Sequence, residues 1–263
     1  MPVTIHDLAA YKARREKFAM LTAYDVQTAG ILDEAGIPVL LVGDSLGQVV
    51  LGYDSTIPVT VDEVLHHCRA VARGARNALL VGDMPFMSYQ ASIEDGLRNA
   101  GRFLKEGAVH SVKIEGPQMD LAAAMAERGI PVMGHLGLTP QSVHLFGGYK
   151  VQGRSEQAAD SITRWAKELE EAGAFAVVLE CVPAQLAERI TRSLAIPTIG
   201  IGAGPDCDGQ VMVINDLLGM TPGKAPKFVK GYADLRAVIG DAVRSYASEI
   251  KSGDYPGPEH SYS

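Results

Sequence analysis

The stretch Val39–Ser45, "VLLVGDS", is an apolar run that stops on a glycine, a carboxylate and a hydroxyl. The stretch Ala78–Asp83, "ALLVGD", repeats an apolar run followed by Gly-Asp. Short apolar runs without alternation are typical of parallel strands that are covered on both faces. Both stretches therefore predict a buried strand with an acidic group at its carboxyl end.

Six further runs of the same kind lie on either side of these two. The eight predicted strands cover residues 18–22, 38–42, 78–82, 109–114, 130–134, 175–179, 196–201 and 210–214. Helical patterns separate most of them: Thr60 with Glu63 has the spacing of a capping box, and Ser92 with Asp95 begins a second amphipathic segment. Strand and helix thus alternate, which is typical of the α/β class.

The length of the chain favours a closed barrel over an open sheet. Eight strands in 263 residues match the roughly 250 residues typical of a (β/α)8 TIM barrel. We predict a single-domain barrel over residues 1–251, with an N-terminal helix, and a C-terminal tail over residues 252–263. The connection between Ile201 and Gln210 is too short for a crossover helix, so we expect it to be irregular.

Composition excludes several classes of function. The chain has 24 Lys and Arg residues against 31 Asp and Glu, a net charge of −7, and lacks the basic runs of a nucleic-acid-binding protein. Its cysteines, Cys68, Cys181 and Cys207, form no C-x-x-C motif, which argues against a disulfide framework or a thiolate metal site. No apolar segment resembles a signal peptide or membrane span, so we expect a soluble cytoplasmic protein.

Titratable residues follow six of the predicted strands. In a parallel barrel all strand carboxyl ends open on one face, where active sites are built. Residues far apart in sequence are therefore expected to meet there. These residues are Asp25, Asp44, Asp83, Glu115, His135 and Glu180.

Three of these acidic residues predict a metal site. Asp44, Asp83 and Glu115 would repel one another in one cleft unless a cation balanced their charge. Oxygen ligands without a soft ligand favour Mg²⁺ or a similar hard ion. A single carboxylate after a strand is more often a helix cap, and Asp25 is interpreted in that way.

Lys113 and His135 allow several roles. Lys113 is two residues before Glu115, so both side chains point to the same side of the strand. Lys113 could bind a substrate carboxylate, form a Schiff base or pair with Glu115. His135 could be a ligand, an acid or a core histidine.

At these residues the chain resembles a known family, ketopantoate hydroxymethyltransferase. The resemblance runs in order from about residue 17 to the C-terminus. It rests on "LLVGDSLG" (40–47), "VGDMPF" (81–86), "SVKIEG" (111–116), "PVMGHLGLTPQSVH" (131–144), "GGYKVQGR" (147–154), "VLECVP" (178–183), "IGIGAGPDCDGQVMV" (199–213) and "YPGPEHSY" (255–262).

The resemblance implies an activity and its cofactors. The family has a (β/α)8 barrel, uses Mg²⁺, here expected as one ion per subunit, and transfers a hydroxymethyl group from 5,10-methylenetetrahydrofolate to 3-methyl-2-oxobutanoate. The product is 2-dehydropantoate (ketopantoate), in pantothenate and coenzyme A biosynthesis. A metal-stabilised enolate is the expected nucleophile. The resemblance also implies a homo-oligomer, commonly a decamer.

The resemblance also implies residue roles. Asp44 and Asp83 are expected to ligate the metal, and Glu115 to hold it directly or through water. Glu180 is similar to the family's general base. The residues expected at the substrate are Asp44, Ser45, Asp83, Lys113 and His135.

Two alternatives stay open from the sequence. One is a Mg²⁺-dependent 2-oxo acid lyase or mutase of the isocitrate lyase and phosphoenolpyruvate mutase type. The other is a non-catalytic barrel that binds folate or an oxo acid. Such a barrel would act as a sensor of its ligand, and it would not need a base such as Glu180 beside a metal site.

Overall fold

The chain folds into a closed eight-stranded parallel barrel. The computed structural model describes residues 2–263, and every strand pairs with its neighbours in sequence order until β8 closes on β1. The (β/α)8 prediction is therefore confirmed. The strands are β1 (Phe18–Thr22), β2 (Val39–Val42), β3 (Leu79–Asp83), β4 (Ser111–Glu115), β5 (Val132–Gly137), β6 (Ala176–Glu180), β7 (Thr198–Ile201) and β8 (Gly209–Met212).

Helices separate the strands, except between the last two. As the short spacer predicted, β7 connects to β8 without a helix. The chain divides into one compact unit that ends at Val213 and a second from Ile214 to Ser263. The first unit contains α1 (Ile5–Arg14), α2 (Val26–Glu34), α3 (Leu46–Val49), α4 (Val61–Gly74), α5 (Ile93–Glu106), α6 (Met119–Glu127), α7 (Val143–Phe146), α8 (Glu156–Glu171) and α9 (Ala184–Ser193).

The second unit contains α10 (Ile214–Leu217) and α11 (Leu235–Ser252). The predicted tail boundary falls at the end of α11. Beyond it the Tyr255 ring lies 5.6 Å from that of Tyr246 and 4.9 Å from that of His260. Within residues 2–263, no helix has both the length and the apolar character that a membrane crossing requires.

Local signals set the helix starts. Thr60 and Glu63 form the expected reciprocal capping box at α4, and the Ser92 side chain caps α5 by accepting from the Asp95 N–H. Each cap satisfies backbone donors that the first helical turn leaves without partners.

The alternation of side chains along each strand positions the titratable residues. Leu79 and Val81 of β3 lie in the apolar core cluster, so Asp83, the next residue of that parity, faces the same side. On β5, His135 likewise lies two residues after Met133 of the core cluster, so it also faces that side. The buried cluster, which α1 enters through Leu8, includes Phe18, Met20, Val39, Leu41, Ala176, Val178, Ile199 and Val211.

Candidate active site

Polar side chains gather where the strands end. Asp83, Glu115 and Glu180 are the last residues of β3, β4 and β6, and the strand registers place Asp83 opposite Lys113 and Glu115 opposite His135. Asp44 joins this group because its backbone N–H donates a hydrogen bond of 3.1 Å to Asp83 Oδ2. The structure thus brings together the carboxylates that the sequence analysis singled out. The side chains of Asp44, Asp83, Lys113, Glu115 and His135 belong to residues only 2–4% exposed.

Asp44 and Asp83 are carboxylates in an unfavourable environment. Burial raises the pKa of Asp44 well above its usual value, and the charges of Asp83 and Glu115 raise it further. Burial also raises the pKa of Asp83, and the opposing charge of Lys113 does not offset it. Added positive charge would therefore be stabilising here.

Lys113 is an ammonium ion inside this group. Its Nζ lies 2.8 Å from Asp83 Oδ1 and 3.4 Å from Glu115 Oε1. Burial disfavours its charge, but Asp83, Glu115 and Asp44 outweigh burial and raise the pKa of Lys113. Because a Schiff base requires a neutral amine, this environment favours the ion-pairing role over that alternative.

Glu115 is the most strongly ionised of the three carboxylates. Burial opposes its charge, but Lys113 and His135 outweigh burial and lower the pKa of Glu115 to about 2. Its Oε2 also accepts a hydrogen bond of 3.0 Å from the backbone N–H of Gln141. Glu115 therefore carries its negative charge throughout the physiological range.

His135 lies between two glutamates. Its Nδ1 is 3.3 Å from Glu115 Oε1, and its Nε2 is 3.2 Å from Glu180 Oε2. Burial and the Lys113 charge oppose protonation, yet the two carboxylates outweigh them and raise the pKa of His135. The ring is thus neither an isolated core histidine nor remote from the predicted base.

The other predicted residues also have clear positions. Ser45 directly follows Asp44, and its Oγ lies 2.9 Å from the hydroxyl of Tyr24. The Asp25 side chain accepts hydrogen bonds from the backbone N–H groups of Gln27 and Thr28 at the start of α2. The interpretation of Asp25 as a helix cap is confirmed.

Sequence reasoning missed two residues that contact the acidic groups. The Nε2 of Gln141 donates to Asp44 Oδ2 at 2.9 Å, and the Tyr89 hydroxyl accepts from the Glu115 backbone N–H at 2.9 Å. Burial raises the pKa of Tyr89, so the phenol keeps its proton. Neither residue ends a strand, and the only available signal was the position of Gln141 in a loop that follows β5.

The donor set suits a hard cation, although no coordination site is already formed. Within residues 2–263, no three His, Cys, Asp or Glu side chains are arranged to hold a metal ion; instead the Lys113 ammonium contacts both Asp83 and Glu115. Asp83 Oδ1 is buried and, among the described residues, receives no aligned hydrogen bond. A buried carboxylate oxygen of this kind is a suitable ligand for Mg²⁺.

Comparison with known proteins identifies the family of the chain. Residues 2–258 match the family profile described as ketopantoate hydroxymethyltransferase. A 3-methyl-2-oxobutanoate hydroxymethyltransferase of Syntrophus aciditrophicus is 58% identical over 262 residues, which cover 99% of this chain and 96% of that protein. One from Enterococcus faecalis is 56% identical over 253 residues, or 95% of this chain and 92% of that protein.

Solved structures share the barrel at much lower identity. Phosphonopyruvate hydrolase matches with a TM-score of 0.63 and 12% identity, over 99% of this chain and 92% of that one. A 2,3-dimethylmalate lyase of the PEP mutase/isocitrate lyase superfamily matches with a TM-score of 0.59 and 16% identity, over 100% of this chain and 93% of that one. These likenesses concern the fold alone. The profile match over residues 2–258 and the close relatives show that the chain belongs to the ketopantoate hydroxymethyltransferase family, a family of transferases.

Proposed function

We propose that the chain transfers a hydroxymethyl group from 5,10-methylenetetrahydrofolate to 3-methyl-2-oxobutanoate, which yields 2-dehydropantoate for pantothenate and coenzyme A biosynthesis. The observation that carries this proposal is a buried group of carboxylates, a lysine and a histidine next to Glu180 at the barrel mouth. The relatives named for this reaction cover nearly the whole chain.

Asp44 and Asp83 are the residues that would hold one Mg²⁺ per subunit. Their burial and mutual repulsion favour a bound cation, and among the described residues each Asp83 oxygen has one contact, from Lys113 and from the Asp44 N–H, against three contacts on the Glu115 oxygens. Glu115 is better suited to act through water, because Lys113, His135 and the Gln141 N–H already contact its oxygens. When bound, the cation would stabilise negative charge on the keto oxygen of the substrate.

Lys113 and Ser45 would bind the substrate carboxylate. Lys113 supplies a fixed positive charge, since its neighbouring carboxylates keep it protonated. The Ser45 hydroxyl, beside Asp44, supplies a neutral donor whose position the Tyr24 hydroxyl supports. Together they would orient C3 of the oxo acid toward the base.

Glu180 would remove the C3 proton. Its side chain is 15% exposed at the end of β6, and its Oε2 lies 3.2 Å from His135 Nε2. Water would add to the methylene carbon of the folate, and its two C–N bonds would break to release tetrahydrofolate and a formaldehyde unit. C3 would then bond to that carbon while its C=O bond opens, and the oxygen would take up a proton to become the hydroxyl group. His135 would hold the Glu180 carboxylate in place and would balance its negative charge before it takes up the C3 proton.

Two measurements test the proposal. In D₂O, NMR should show loss of the C3 proton of 3-methyl-2-oxobutanoate when enzyme and Mg²⁺ are present without folate. Addition of methylenetetrahydrofolate should then yield 2-dehydropantoate. Cleavage of an oxo acid without use of folate would favour the lyase or mutase alternative, and binding without exchange or product would favour the sensor.

We also propose that the protein is a cytoplasmic homo-oligomer, with a decamer as the expected form. Supporting this, no residue of α11 is buried, although five large apolar residues of that helix are 45–61% exposed. An exposed apolar helix face is typical of a protein interface, and a second copy of this chain is the proposed partner. The five residues are Val238, Ile239, Val243, Tyr246 and Ile250.

A further inference from the structure

We propose that Gln141 is a positioning residue that fixes the carboxylates of Asp44 and Glu115 for cation binding, and that the Tyr89 hydroxyl holds Gln141 in place. This inference rests on the proposed function, because it assigns the residues that prepare the cation site. Gln141 lies in the 3₁₀ turn Pro140–Ser142, after β5, and is only 4% exposed.

Gln141 contacts two of the acidic residues through different groups. Its side-chain Nε2 donates to Asp44 Oδ2 at 2.9 Å, and its backbone N–H donates to Glu115 Oε2 at 3.0 Å. Asp44 follows β2 and Glu115 ends β4, so one residue links two separate strand ends. Hydrogen bonds of this kind fix the orientation of a carboxylate before its other oxygen binds a cation.

The amide of Gln141 has one possible orientation. Its Nε2 also donates to the backbone carbonyl oxygen of Met84 at 2.9 Å. Because a carbonyl oxygen can only accept, the nitrogen must lie on this side and must face Asp44. A rotated amide would place two acceptors against Met84 and Asp44, so the donation to Asp44 is built into the loop.

The opposite end of the amide is held by two donors. The Tyr89 hydroxyl donates to Gln141 Oε1 at 2.7 Å, and Gln90 Nε2 donates to the same oxygen at 3.0 Å. The Tyr89 oxygen also accepts from the backbone N–H of Glu115 at 2.9 Å. With both donors and both acceptor positions of the Gln141 amide used, the network is fully satisfied and resists rearrangement.

The neutrality of the Gln141 side chain is as important as its shape. A lysine or arginine at this position would neutralise Asp44 and compete with a cation, whereas a glutamate would add a further negative charge to the group. A neutral amide orients Asp44 and leaves its charge available for the metal. Residues with this role beside metal ligands typically change metal affinity by about 10- to 100-fold when replaced.

The test compares Mn²⁺ binding by Gln141→Leu and the wild-type enzyme, with electron paramagnetic resonance of free Mn²⁺ as the readout. The expected result is a Kd for Mn²⁺ that is about 10- to 100-fold higher in Gln141→Leu. Kinetically, the metal concentration for half-maximal rate should rise while kcat at saturating Mn²⁺ is largely retained. A purely structural role would not raise the metal concentration for half-maximal rate while kcat is retained.

Thr191→Val is the matched control. Like Gln141→Leu, it replaces a buried polar side chain by an apolar one and removes a hydrogen bond from the interior. Thr191 Oγ1 lies 2.7 Å from Thr198 Oγ1, among residues that the proposed site does not use. This variant should be less stable than the wild type yet bind Mn²⁺ with unchanged affinity. An equal loss of Mn²⁺ affinity in Thr191→Val would attribute the effect to general destabilisation and overturn the proposal.

Tyr89→Phe gives a second, shape-conserving readout if Gln141→Leu does not fold. Loss of the hydroxyl removes one of the two donors to Gln141 Oε1 and keeps the Gln90 donor and the amide itself, so Mn²⁺ affinity should lie between the values for wild type and Gln141→Leu. Wild-type affinity in folded Gln141→Leu, or in Tyr89→Phe where the former does not fold, would overturn the inference. Absence of Mn²⁺ binding by the wild-type enzyme would instead overturn the proposed cation site itself, and this inference with it.

Discussion

Glu180 differs from the other acidic residues in its surroundings. Asp44, Asp83 and Glu115 are nearly inaccessible, whereas the Glu180 side chain is 15% exposed. It contacts His135 rather than Lys113. Its partial exposure leaves the carboxylate accessible to a substrate, as a base requires.

We expect Glu180→Gln to keep substrate binding while it loses turnover. The amide has the same shape but cannot accept the C3 proton, so kcat should fall by about 10²- to 10⁴-fold, the usual contribution of a general base. Isothermal titration with 3-methyl-2-oxobutanoate and steady-state kinetics give the two numbers. A variant that loses binding and turnover together would show that Glu180 holds the substrate rather than its proton.

Asp44→Ala should weaken the binding of metal and oxo acid together. The substitution removes one proposed ligand and leaves Gln141 Nε2 without its acceptor. If the cation holds the keto acid, calorimetry should show a lower affinity for 3-methyl-2-oxobutanoate in the presence of Mg²⁺. The same affinity as in wild type would contradict a cation-centred substrate site. Asp25→Ala, which removes a carboxylate that caps α2 by accepting from Gln27 and Thr28, is a suitable control.

At the scale of elements, one buried aspartate joins α2 to the start of β3. Asp33 accepts hydrogen bonds from the backbone N–H groups of Arg76, Asn77 and Ala78 at 3.1, 2.9 and 2.7 Å. Burial opposes its charge, but these donors outweigh burial and lower the pKa of Asp33 from its usual value. Because β3 carries Asp83, this anchor also helps to position the site.

The stabilisation from Asp33 should depend on pH. A lowered folded-state pKa means that the contribution is complete above the unfolded value near 3.9 and is lost as pH falls through the folded value. Asp33→Asn should therefore reduce the free energy of unfolding by about 1.5–3 kcal/mol at pH 7. Urea unfolding at pH 7 and at pH 3 should show a smaller difference at the lower pH.

Glu34→Gln is the control for that experiment, because Glu34 is the exposed neighbour of Asp33 at the end of the same helix. Its stability should stay within about 0.5 kcal/mol of the wild type at both pH values. A pH-independent loss in Asp33→Asn would mean that shape rather than charge matters at this position.

At the scale of the whole molecule, the exposed apolar face of α11 is the feature that a single chain does not explain. Val243→Asp would place a charge on that face, where Val243 is 60% exposed. If the face forms an interface between copies, light scattering after size-exclusion chromatography should show a smaller assembly. Ser248→Asp adds the same charge to the opposite side of the helix and should leave the mass unchanged. Equal masses for wild type and Val243→Asp would remove this face as an interface.

The sequence by itself determined the barrel. Eight apolar runs, the spacers between them and the helix caps are local patterns, so neighbouring residues are enough to encode them. The short β7–β8 connection could be predicted for the same reason. The ends of the apolar runs also predicted that Asp83, Glu115 and Glu180 lie at strand ends, and the two-residue spacing of Lys113 and Glu115 predicted that they share a side.

Only the tertiary structure decided how these residues are paired. The ammonium of Lys113 contacts Asp83 on the neighbouring strand, and His135 bridges Glu115 and Glu180. Gln141 reaches Asp44 across 97 positions of sequence, and no local pattern marks a loop amide for that contact. Such partners are chosen when barrel closure brings distant strand ends together, because burial then requires every polar group to find a donor, an acceptor or an opposite charge.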